Sequence, residues 1–372
     1  MTATALTPAG LPSSATDEVV LEVTDLSVGF PTDDGVVQAV RGVSYTLRRG
    51  EVLGIVGESG SGKSVTSLAI MGLLPGTARV SGSVRLGGRE LVGASYNDLA
   101  EVRGKQISMV FQDPISSLNP VYSVGWQLAE GVRAHNDMKK KQAWERSIEL
   151  LDLVGIPNAR DRAKNYPHEF SGGMRQRVVI AMAIANDPDV LIADEPTTAL
   201  DVTVQAQILE TLDIARSATN AAMVLITHDL GVVAGVADRV LVMYAGKPVE
   251  TGTVDDIYYR ARMPYTMGLL ASIPRLDQTT SGALQPIPGS PPSLLNLPPG
   301  CPFSSRCTYR IEVCDQTEPA LLQVDGIGHS AACHLASSFT ADDTDVGSVE
   351  ERVDAAQASQ TDADRRTSQE GA

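Results

Sequence analysis

The sequence is poor in aromatic side chains and in positive charge. Phe, Trp and Tyr make up 4% of its 372 residues, and 45 Asp and Glu outnumber 30 Lys and Arg, which gives a formal net charge of −15. Nucleic-acid phosphates attract basic surfaces, and unpaired bases stack on aromatic rings. The composition therefore argues against a nucleic-acid partner.

Long apolar runs and targeting signals are also missing. No run approaches the length of about 18 residues that spans a bilayer. The segment Met1–Asp17 has neither the basic patch nor the apolar core of a signal peptide, and we expect residues 1–19 to form a flexible leader. Residues 341–372 contain nine acidic residues and three Arg, a net charge of −6. This composition predicts a disordered acidic tail.

A phosphate-binding pattern is present near the N-terminus. Residues 57–64 read Gly-x4-Gly-Lys-Ser between an apolar strand run, 51–56, and a helical pattern, 65–71. The glycines let backbone N–H groups turn toward phosphates, and the helix N-terminus adds its positive end. Lys63 can reach the β- and γ-phosphates, and Ser64 can ligate Mg²⁺. The predicted ATP contacts are Gly57, Ser59, Gly60, Ser61, Gly62, Lys63, Ser64 and Val65; a plain Gly/Ser turn is the alternative.

Two carboxylates and a histidine follow later apolar runs. Residues 190–193 form a buried-strand pattern that delivers Asp194 and Glu195 at its C-terminal end, where ligands bind in open α/β sheets. Adjacent carboxylates there are costly without a cation, so Asp194 is the expected Mg²⁺ ligand and Glu195 the expected base for the attacking water. A solvated strand end is the alternative. His228 follows the apolar run 222–226, and a strand-end structural histidine is its alternative reading.

The run Ser171-Gly172-Gly173-Met174, shortly before that strand, resembles the signature loop of ATP-binding cassette (ABC) ATPases, and the resemblance covers about residues 20–275. It implies that Gln112 senses Mg²⁺ and the lytic water, that His228 touches the γ-phosphate, and that Phe30 stacks on adenine. Residues 198–201, ending in Asp201, resemble the D-loop. Met174 departs from the pattern, because many cassettes have Gln there. In the family, the signature residues Ser171, Gly172 and Gly173 close over ATP held by a partner, so a dimer is implied.

The fold class that we expect is α/β. Strand runs alternate with helical patterns, as in a parallel sheet. The resemblance implies a P-loop nucleotide-binding domain of the ABC type, with a parallel-sheet core, an antiparallel β subdomain and a helical arm at about residues 113–170. We assign residues 20–275 to this domain and residues 276–340 to a small irregular extension that binds a metal or cluster.

The segment 112–120 resembles the corresponding region of ATPases that serve oligopeptide, dipeptide and nickel importers. The implied function is ATP hydrolysis that powers peptide import. The implied partners are two membrane-spanning permease subunits, a second and different ABC ATPase, and an external solute-binding protein. The chain would sit peripherally on the cytoplasmic face of the inner membrane. An importer of nickel or another small solute, a non-transport ABC ATPase, and a redox-sensing regulator with a vestigial nucleotide site are the alternatives.

All four cysteines fall in the extension, after a Pro-rich stretch at 286–299: Cys301, Cys307, Cys314 and Cys333. Their spacing matches neither the usual zinc pattern nor the usual iron–sulfur pattern. Spacing alone leaves iron–sulfur and zinc level, the latter also with His329 or His334 as a ligand, and free thiols remain a third reading. The block resembles the C-terminal extension of peptide-importer ATPases, some of which hold a 4Fe–4S cluster. The resemblance therefore implies that cluster here, with zinc as the alternative.

Overall fold

A computed structural model describes residues 18–198, 201–273, 287–326 and 328–339. The acidic tail, most of the predicted leader and the first residues assigned to the extension lie outside these ranges. The strands in chain order are β1 (Val19–Thr32), β2 (Gly35–Arg48), β3 (Val52–Val56), β4 (Arg79–Leu86), β5 (Arg89–Glu90), β6 (Ile107–Val110), β7 (Val190–Asp194), β8 (Ala222–Thr227), β9 (Arg239–Tyr244), β10 (Lys247–Thr253), β11 (Leu322–Asp325) and β12 (His329–Ala331).

The helices lie between and after the strands. In chain order they are α1 (Lys63–Ile70), α2 (Tyr96–Val102), α3 (Pro114–Ser117), α4 (Val124–His135), α5 (Lys140–Leu153), α6 (Ala159–Arg162), α7 (Gly172–Ala183), α8 (Val202–Thr219), α9 (Leu230–Ala234), α10 (Val254–Tyr259), α11 (Pro264–Ala271) and α12 (Val313–Gln316). Short 3₁₀ turns occur at Pro167–Glu169, Ser304–Arg306 and Ala336–Ser338. In the part of the chain that the structure describes, no helix combines the length and the hydropathy needed to cross a bilayer.

The first sheet is antiparallel, with strand order β2-β1-β4-β5. Apolar residues of β1, such as Val23 and Val28, are buried, while Glu22 and Thr24 are exposed. This alternation is what one buried sheet face requires. The predicted antiparallel β subdomain is therefore present. Its buried face joins an apolar cluster with α1 and with residues of β3, β7 and β8.

The second sheet has the strand order β11-β12-β10-β9-β3-β8-β7-β6. The block β9-β3-β8-β7-β6 is parallel, and its strands are almost entirely buried, as apolar runs without alternation predict. The carboxyl ends of β3, β7 and β8 therefore meet at one edge. This edge carries the phosphate loop, the Asp194–Glu195 pair and His228 on adjacent strands.

The C-terminal segment joins this sheet, which corrects the expectation of a purely irregular extension. Strands β11 and β12 add to β10 in antiparallel register, with Ala331 of β12 opposite Glu250. Both strands are short, and their sequences lack a clean apolar alternation. Local pattern therefore could not reveal them, because β12 pairs with β10 about 80 residues away in the sequence, and β11 joins the sheet only through β12.

Helices α3 to α6 form the helical arm. In the sequence they lie between β6 and α7. Its buried residues, among them Leu128, Leu150 and Leu151, share one apolar cluster with α7 and α8. A third cluster is shared between the ATPase core and the extension. It contains Tyr244 of β9, Tyr265 of α11 and Phe303 of the extension, with ring centroids 4.6 to 5.4 Å apart.

Candidate functional site

The phosphate loop connects β3 to α1 in a conformation that only glycine tolerates. Gly57 has φ 153° and Gly62, the residue that caps α1, has φ 100°. A Cβ at Gly57 would lie 2.2 Å from the carbonyl oxygen of Met243, and one at Gly62 would lie 2.5 Å from that of Ala39. The loop therefore turns tightly against β9 and β2, and it leaves the N-terminus of α1 open as an anion-binding end.

Lys63 lies at the centre of the loop. Its ammonium group donates hydrogen bonds to the carbonyl oxygens of Gly57, at 2.7 Å, and Glu58, at 3.0 Å. Burial lowers the pKa of Lys63, while the carboxylates of Glu195, Asp194 and Glu58 act in the opposite direction. The lysine thus presents a positive charge from a nearly dehydrated position, where its attraction for a phosphate is strong.

Asp194 and Ser64, the two residues that the sequence predicts as magnesium ligands, contact each other. The Ser64 hydroxyl donates to Oδ1 of Asp194 at 2.9 Å, which brings the end of β7 against the first turn of α1. Asp194 is 7% exposed, and burial raises its pKa; the neighbouring Glu195 adds to this, and the Ser64 hydrogen bond and Lys63 oppose it. A buried carboxylate beside a hydroxyl and a second carboxylate is a donor set that a hard divalent cation prefers.

The other two predicted catalytic residues, Gln112 and His228, lie beside the Glu195 carboxylate. Its Oε2 accepts hydrogen bonds from Gln112 Nε2 at 3.1 Å and from Thr198 Oγ1 at 2.9 Å, and His228 Nδ1 lies 3.6 Å away. These partners come from the segments after β6, β7 and β8. The structure thus brings together Gln112, Glu195 and His228, which are separated by up to 116 positions in the sequence.

A cleft of about 820 Å³ opens over this group. The residues that line it are Ala39, Glu58, Ser59, Gly60, Gly62, Lys63, Ser64, Val65, Gln112, Glu195, His228, Leu269, Ser272, Ile287 and Leu294. Gly57 lies behind the loop against β9, and Ser61 is 4% exposed. Phe30 lies on β1 and packs against the apolar cluster of the first sheet, outside this lining. Its stacking on adenine stays a prediction.

The signature residues do not line the cleft of their own chain. Ser171 caps α7, and its hydroxyl accepts from the N–H of Met174 at 3.4 Å; Gly172 is exposed, with no described atom within 4 Å of where a Cβ would be. Asp201 caps α8 by accepting from Val204 N–H at 3.0 Å. Ser171, Gly172, Gly173 and Asp201 are absent from the cleft lining. Their contact with a partner's ATP stays a prediction.

Two features in and beside the cleft escaped the sequence analysis. Leu269 of α11 and Ile287 and Leu294 of the Pro-rich stretch contribute apolar side chains to its lining. Arg306 of the extension forms a bidentate ion pair with Glu58, at 2.6 and 2.8 Å. No signal near residue 58 points to residue 306, because the contact spans 248 positions.

The four cysteines collect in the third apolar cluster and are free thiols. Burial raises the pKa of Cys307 to about 12 and that of Cys333 to about 11, and each of the two also feels the other cysteines. Within the described ranges, however, no group of three or more His, Cys, Asp or Glu side chains is arranged so that it could hold a metal ion. The four thiols thus share one apolar cluster, but the described residues do not form the coordination geometry of a metal site.

Comparison with known families gives two matches. Residues 40–198 match the ABC transporter family, and residues 249–314 match the oligopeptide/dipeptide transporter C-terminal region. The first match covers the phosphate loop, the signature loop and the Asp194–Glu195 pair. The second covers β10, α11 and three of the four cysteines.

Curated relatives cover most of the chain. It is 59% identical over 315 residues to the oligopeptide transport ATP-binding protein OppD of Mycobacterium tuberculosis, with 84% of this chain and 51% of that protein covered. It is 54% identical to OppD of Salmonella typhimurium, covering 85% of this chain and 93% of the relative, and 54% identical to the dipeptide transport ATP-binding protein DppD of Bacillus subtilis, covering 86% and 95%. The chain thus spans about half the length of its mycobacterial relatives and nearly all of the other two.

Solved structures agree with the fold. The ATP-binding cassette MJ0796, in a dimeric post-hydrolysis state bound to ADP and Pi, matches with a TM-score of 0.56 at 25% identity, over 63% of this chain and 98% of that one. The protein cbiO1 of Clostridium perfringens, part of an ABC transporter complex, matches with a TM-score of 0.56 at 27% identity, over 66% and 92%. With the phosphate loop, the carboxylate edge and the C-terminal region in place, the chain belongs to the ABC transporter ATP-binding proteins of the oligopeptide/dipeptide group.

Proposed function

We propose that the chain is the ATP-hydrolysing subunit that powers import of dipeptides or oligopeptides by an ABC transporter. The observation that carries the ATPase proposal is the Glu195 carboxylate, which is held between Gln112, Thr198 and His228 at the edge of the sheet that also carries the phosphate loop. The peptide substrate is supported by the OppD and DppD relatives and by the C-terminal region at 249–314.

The phosphate loop would hold the nucleotide. Backbone N–H groups of residues 57–64 and the N-terminus of α1 can surround the β- and γ-phosphates, and Lys63 would exchange its carbonyl partners for phosphate oxygens. Ser64, Asp194 and Gln112 are the residues that we assign to Mg²⁺. The cation would neutralise charge on the phosphates and on Asp194.

Glu195 would accept a proton from, or orient, the attacking water. The amide of Gln112 and the hydroxyl of Thr198 fix its Oε2, and His228, whose side chain is 59% exposed, is free to turn toward a γ-phosphate. A base held by two donors is aimed at one position, which is what general-base catalysis needs. Lys63 would stabilise the charge that develops on the transferred phosphoryl group.

A second ATPase chain is part of the proposal. The exposed helix end at Ser171, Gly172 and Gly173, together with Asp201, would close over ATP held by the partner, and the partner's signature would close over this cleft. The MJ0796 cassette, which is dimeric with ADP and Pi bound, supports this arrangement. Two permease subunits and an external solute-binding protein would complete the importer, which would place this chain at the cytoplasmic face of the membrane.

The segment boundaries stay proposals as well. We keep residues 1–19 as a leader, 20–275 as the ATPase domain, 276–340 as the extension and 341–372 as an acidic tail. The C-terminal family region begins at residue 249 and so includes the last strand and helices that we assign to the ATPase domain. This overlap is consistent with the shared apolar cluster around Tyr265 and Phe303.

Glu195→Gln tests the ATPase proposal. The amide keeps the shape of the side chain but cannot accept the proton, so we expect ATP hydrolysis to fall by about 100-fold or more while ATP binding is retained. Hydrolysis is measured as phosphate release and binding by equilibrium dialysis. Glu210→Gln, on the exposed side of α8, is the matched control and should hydrolyse ATP at the wild-type rate. Unchanged hydrolysis in Glu195→Gln would remove Glu195 from the mechanism.

The transport proposal needs the complete complex. Proteoliposomes that contain the permease subunits and both ATPases should take up a labelled peptide in an ATP-dependent manner, and Glu195→Gln should abolish this uptake. Uptake of Ni²⁺ but not peptide would identify a nickel importer. ATPase activity without any association with permease subunits would indicate a non-transport cassette protein.

We also propose that Cys301, Cys307, Cys314 and Cys333 ligate a 4Fe–4S cluster, with zinc as the alternative. Four free thiols in one apolar cluster are a suitable donor set, and the raised pKa values of Cys307 and Cys333 indicate dehydrated thiols that a metal would convert to thiolates. Because the described residues do not form a metal-holding group, cluster binding would require the cysteine side chains to move closer together.

Metal analysis of protein purified without oxygen tests this assignment. We expect about four iron and four acid-labile sulfide per chain, as for a Cys₄ cluster, and a loss of both in Cys314→Ser. One zinc without sulfide would replace the cluster by a structural zinc site. A full iron complement in Cys314→Ser would remove Cys314 from the ligand set, and neither metal in the wild type would leave four structural thiols.

A further inference from the structure

Arg306 connects the cysteine-bearing extension to the phosphate loop. Its two terminal nitrogens donate to the two carboxylate oxygens of Glu58, at 2.6 and 2.8 Å, and the arginine side chain is only 3% exposed. Glu58 is the first variable residue of the loop and lines the nucleotide cleft. A bidentate pair of this kind fixes both the position and the direction of the carboxylate.

The guanidinium is itself held from several sides. Its Nε donates to the carbonyl oxygen of Pro288 at 2.8 Å, and its carbon lies 5.8 Å from the ring centroids of both Tyr244 and Phe303. Because the planar group is fixed by a carbonyl and two aromatic rings, it cannot follow Glu58 if the loop moves. The extension therefore provides a rigid anchor for one residue of the loop.

Glu58 in turn holds the lysine of the loop. Its carbonyl oxygen accepts from the Lys63 ammonium group at 3.0 Å, and its N–H donates to the Tyr265 hydroxyl at 2.7 Å. Its carboxylate is also one of three, with Asp194 and Glu195, whose charges act on Lys63. A phosphate that enters this site comes near three carboxylates. The charge of one of them, Glu58, is neutralised by Arg306, which lies outside the cleft lining.

We propose that Arg306 is a positioning residue for nucleotide binding: it neutralises Glu58, directs its carboxylate away from the phosphate site and keeps the loop backbone ready for phosphate. This inference rests on the proposed ATPase function. Without Arg306, an unpaired carboxylate would remain at the rim of an anion-binding loop and would repel a polyphosphate. The extension is then part of the ATP site, which explains why it packs into the catalytic domain.

Arg306→Met tests the proposal, because methionine retains an apolar stem and removes the charge. The affinity for ADP and for a non-hydrolysable ATP analogue is measured by equilibrium dialysis on the full chain. We expect a loss of about tenfold or more, as for one unscreened like charge near a phosphate, and the loss should shrink at high salt. Arg310→Met is the matched control: this arginine belongs to the same extension and pairs with Asp315 at 2.7 Å, but it is exposed.

A double variant, which completes a double-mutant cycle, also removes the negative charge of Glu58. In the double variant Arg306→Met with Glu58→Gln, affinity should return to within about threefold of the wild type, because the repelling charge is gone. A purely structural role of Arg306 predicts no such recovery, so a double variant as weak as Arg306→Met would overturn the proposal. Binding by Arg306→Met within twofold of the wild type would overturn it as well.

Two single variants keep the proposal testable where Arg306→Met does not fold. Arg306→Lys retains the charge and should keep affinity within about threefold, and Glu58→Gln should bind nucleotide at least as tightly as the wild type. A tenfold loss in either would contradict the proposal. Failure of the proposed function looks different, because then the wild type itself binds no nucleotide.

Discussion

Glu195 has a backbone conformation that glutamate seldom adopts. Its φ is 46°, in the left-handed region, and its N–H donates to the carbonyl oxygen of Ile226 at 2.9 Å. A non-glycine residue there costs of the order of 1 kcal/mol or more and persists where its surroundings impose it. The turn directs the carboxylate toward Gln112 and His228 instead of into the sheet, so the strain is located at the residue that we assign as the base.

At the scale of single residues, the burial of Asp194 predicts that its charge lowers the stability of the fold while the residue is needed for hydrolysis. Because its pKa is raised in the folded protein, the folded state binds the proton more tightly than the unfolded state, and the ionised carboxylate destabilises the fold at neutral pH. Asp194→Asn should therefore raise the free energy of unfolding at pH 7 by about 1 kcal/mol and abolish Mg²⁺-dependent hydrolysis. Urea unfolding and phosphate release measure the two effects.

The pH dependence of this stability gain tests whether the ionised Asp194 carboxylate is its cause. The gain from Asp194→Asn should be largest above the folded pKa and should disappear below about 4, the unfolded value for Asp, because there the wild-type carboxyl becomes protonated in both states. Asp213→Asn on α8, where Asp213 is 55% exposed, is the control and should change stability little. A stability gain that is the same at pH 7 and at pH 3 would refute the linkage to ionisation.

The sequence predicted most of the single residues of the site. The phosphate loop, Asp194 and Glu195 follow directly after apolar strand runs, so spacing alone placed them at strand ends. The Arg306–Glu58 pair was unpredictable, since an isolated arginine in a loop is most often a solvated surface charge. The conformation of Glu195 was also invisible, because residue type predicts glycine or asparagine at positive φ.

At the scale of the elements, Ser171 at the start of α7 has two roles that a single substitution can distinguish. Ser171 caps this helix and is also assigned to the phosphate of a partner's ATP. In Ser171→Asp the cap is retained, since Asp is as good an N-cap as Ser, but a negative charge is added where phosphate should bind. We expect stability within about 0.5 kcal/mol of the wild type and a loss of ATP hydrolysis of about 100-fold, measured by thermal unfolding and by phosphate release.

Ser123→Asp serves as the control, because Ser123 precedes α4 in the same way and makes no side-chain cap hydrogen bond. It adds the same charge to a helix N-terminus away from the signature, and hydrolysis should be unchanged. Full activity in Ser171→Asp would show that Ser171 is only a helix cap. The buried strands β3, β7 and β8 and the helix α1 followed from their patterns, whereas β12 required the edge of β10 as a template.

At the scale of the molecule, the extension and the ATPase core share one apolar cluster, and we expect them to unfold as one unit. Phe303 is 3% exposed and lies 5.4 Å, between ring centroids, from both Tyr244 and Tyr265. Phe303→Ala should lower the free energy of unfolding by about 3 kcal/mol, because it opens a cavity among core side chains. Since both parts line this cavity, unfolding should remain a single transition at a lower temperature, as measured by calorimetry.

Ile311→Ala is the control for that experiment, because Ile311 is in the same extension and 40% exposed; it should cost less than about 1 kcal/mol. Two separate transitions in Phe303→Ala, with only one of them shifted, would mean that the extension unfolds independently. The boundary at residue 276 would then also mark a stability boundary.

The sequence by itself determined the core fold of this protein and the position of the residues that we assign to nucleotide chemistry. Apolar runs of five or six residues become buried parallel strands, and parallel strands deliver their C-terminal residues to a shared edge, so local pattern is sufficient to assemble Lys63, Asp194 and Glu195. Only the tertiary structure decided how the C-terminal segment packs. The pairing of β12 with β10, the burial of the cysteines and the contact of Arg306 with Glu58 depend on long sequence separations, for which short-range periodicity carries no information.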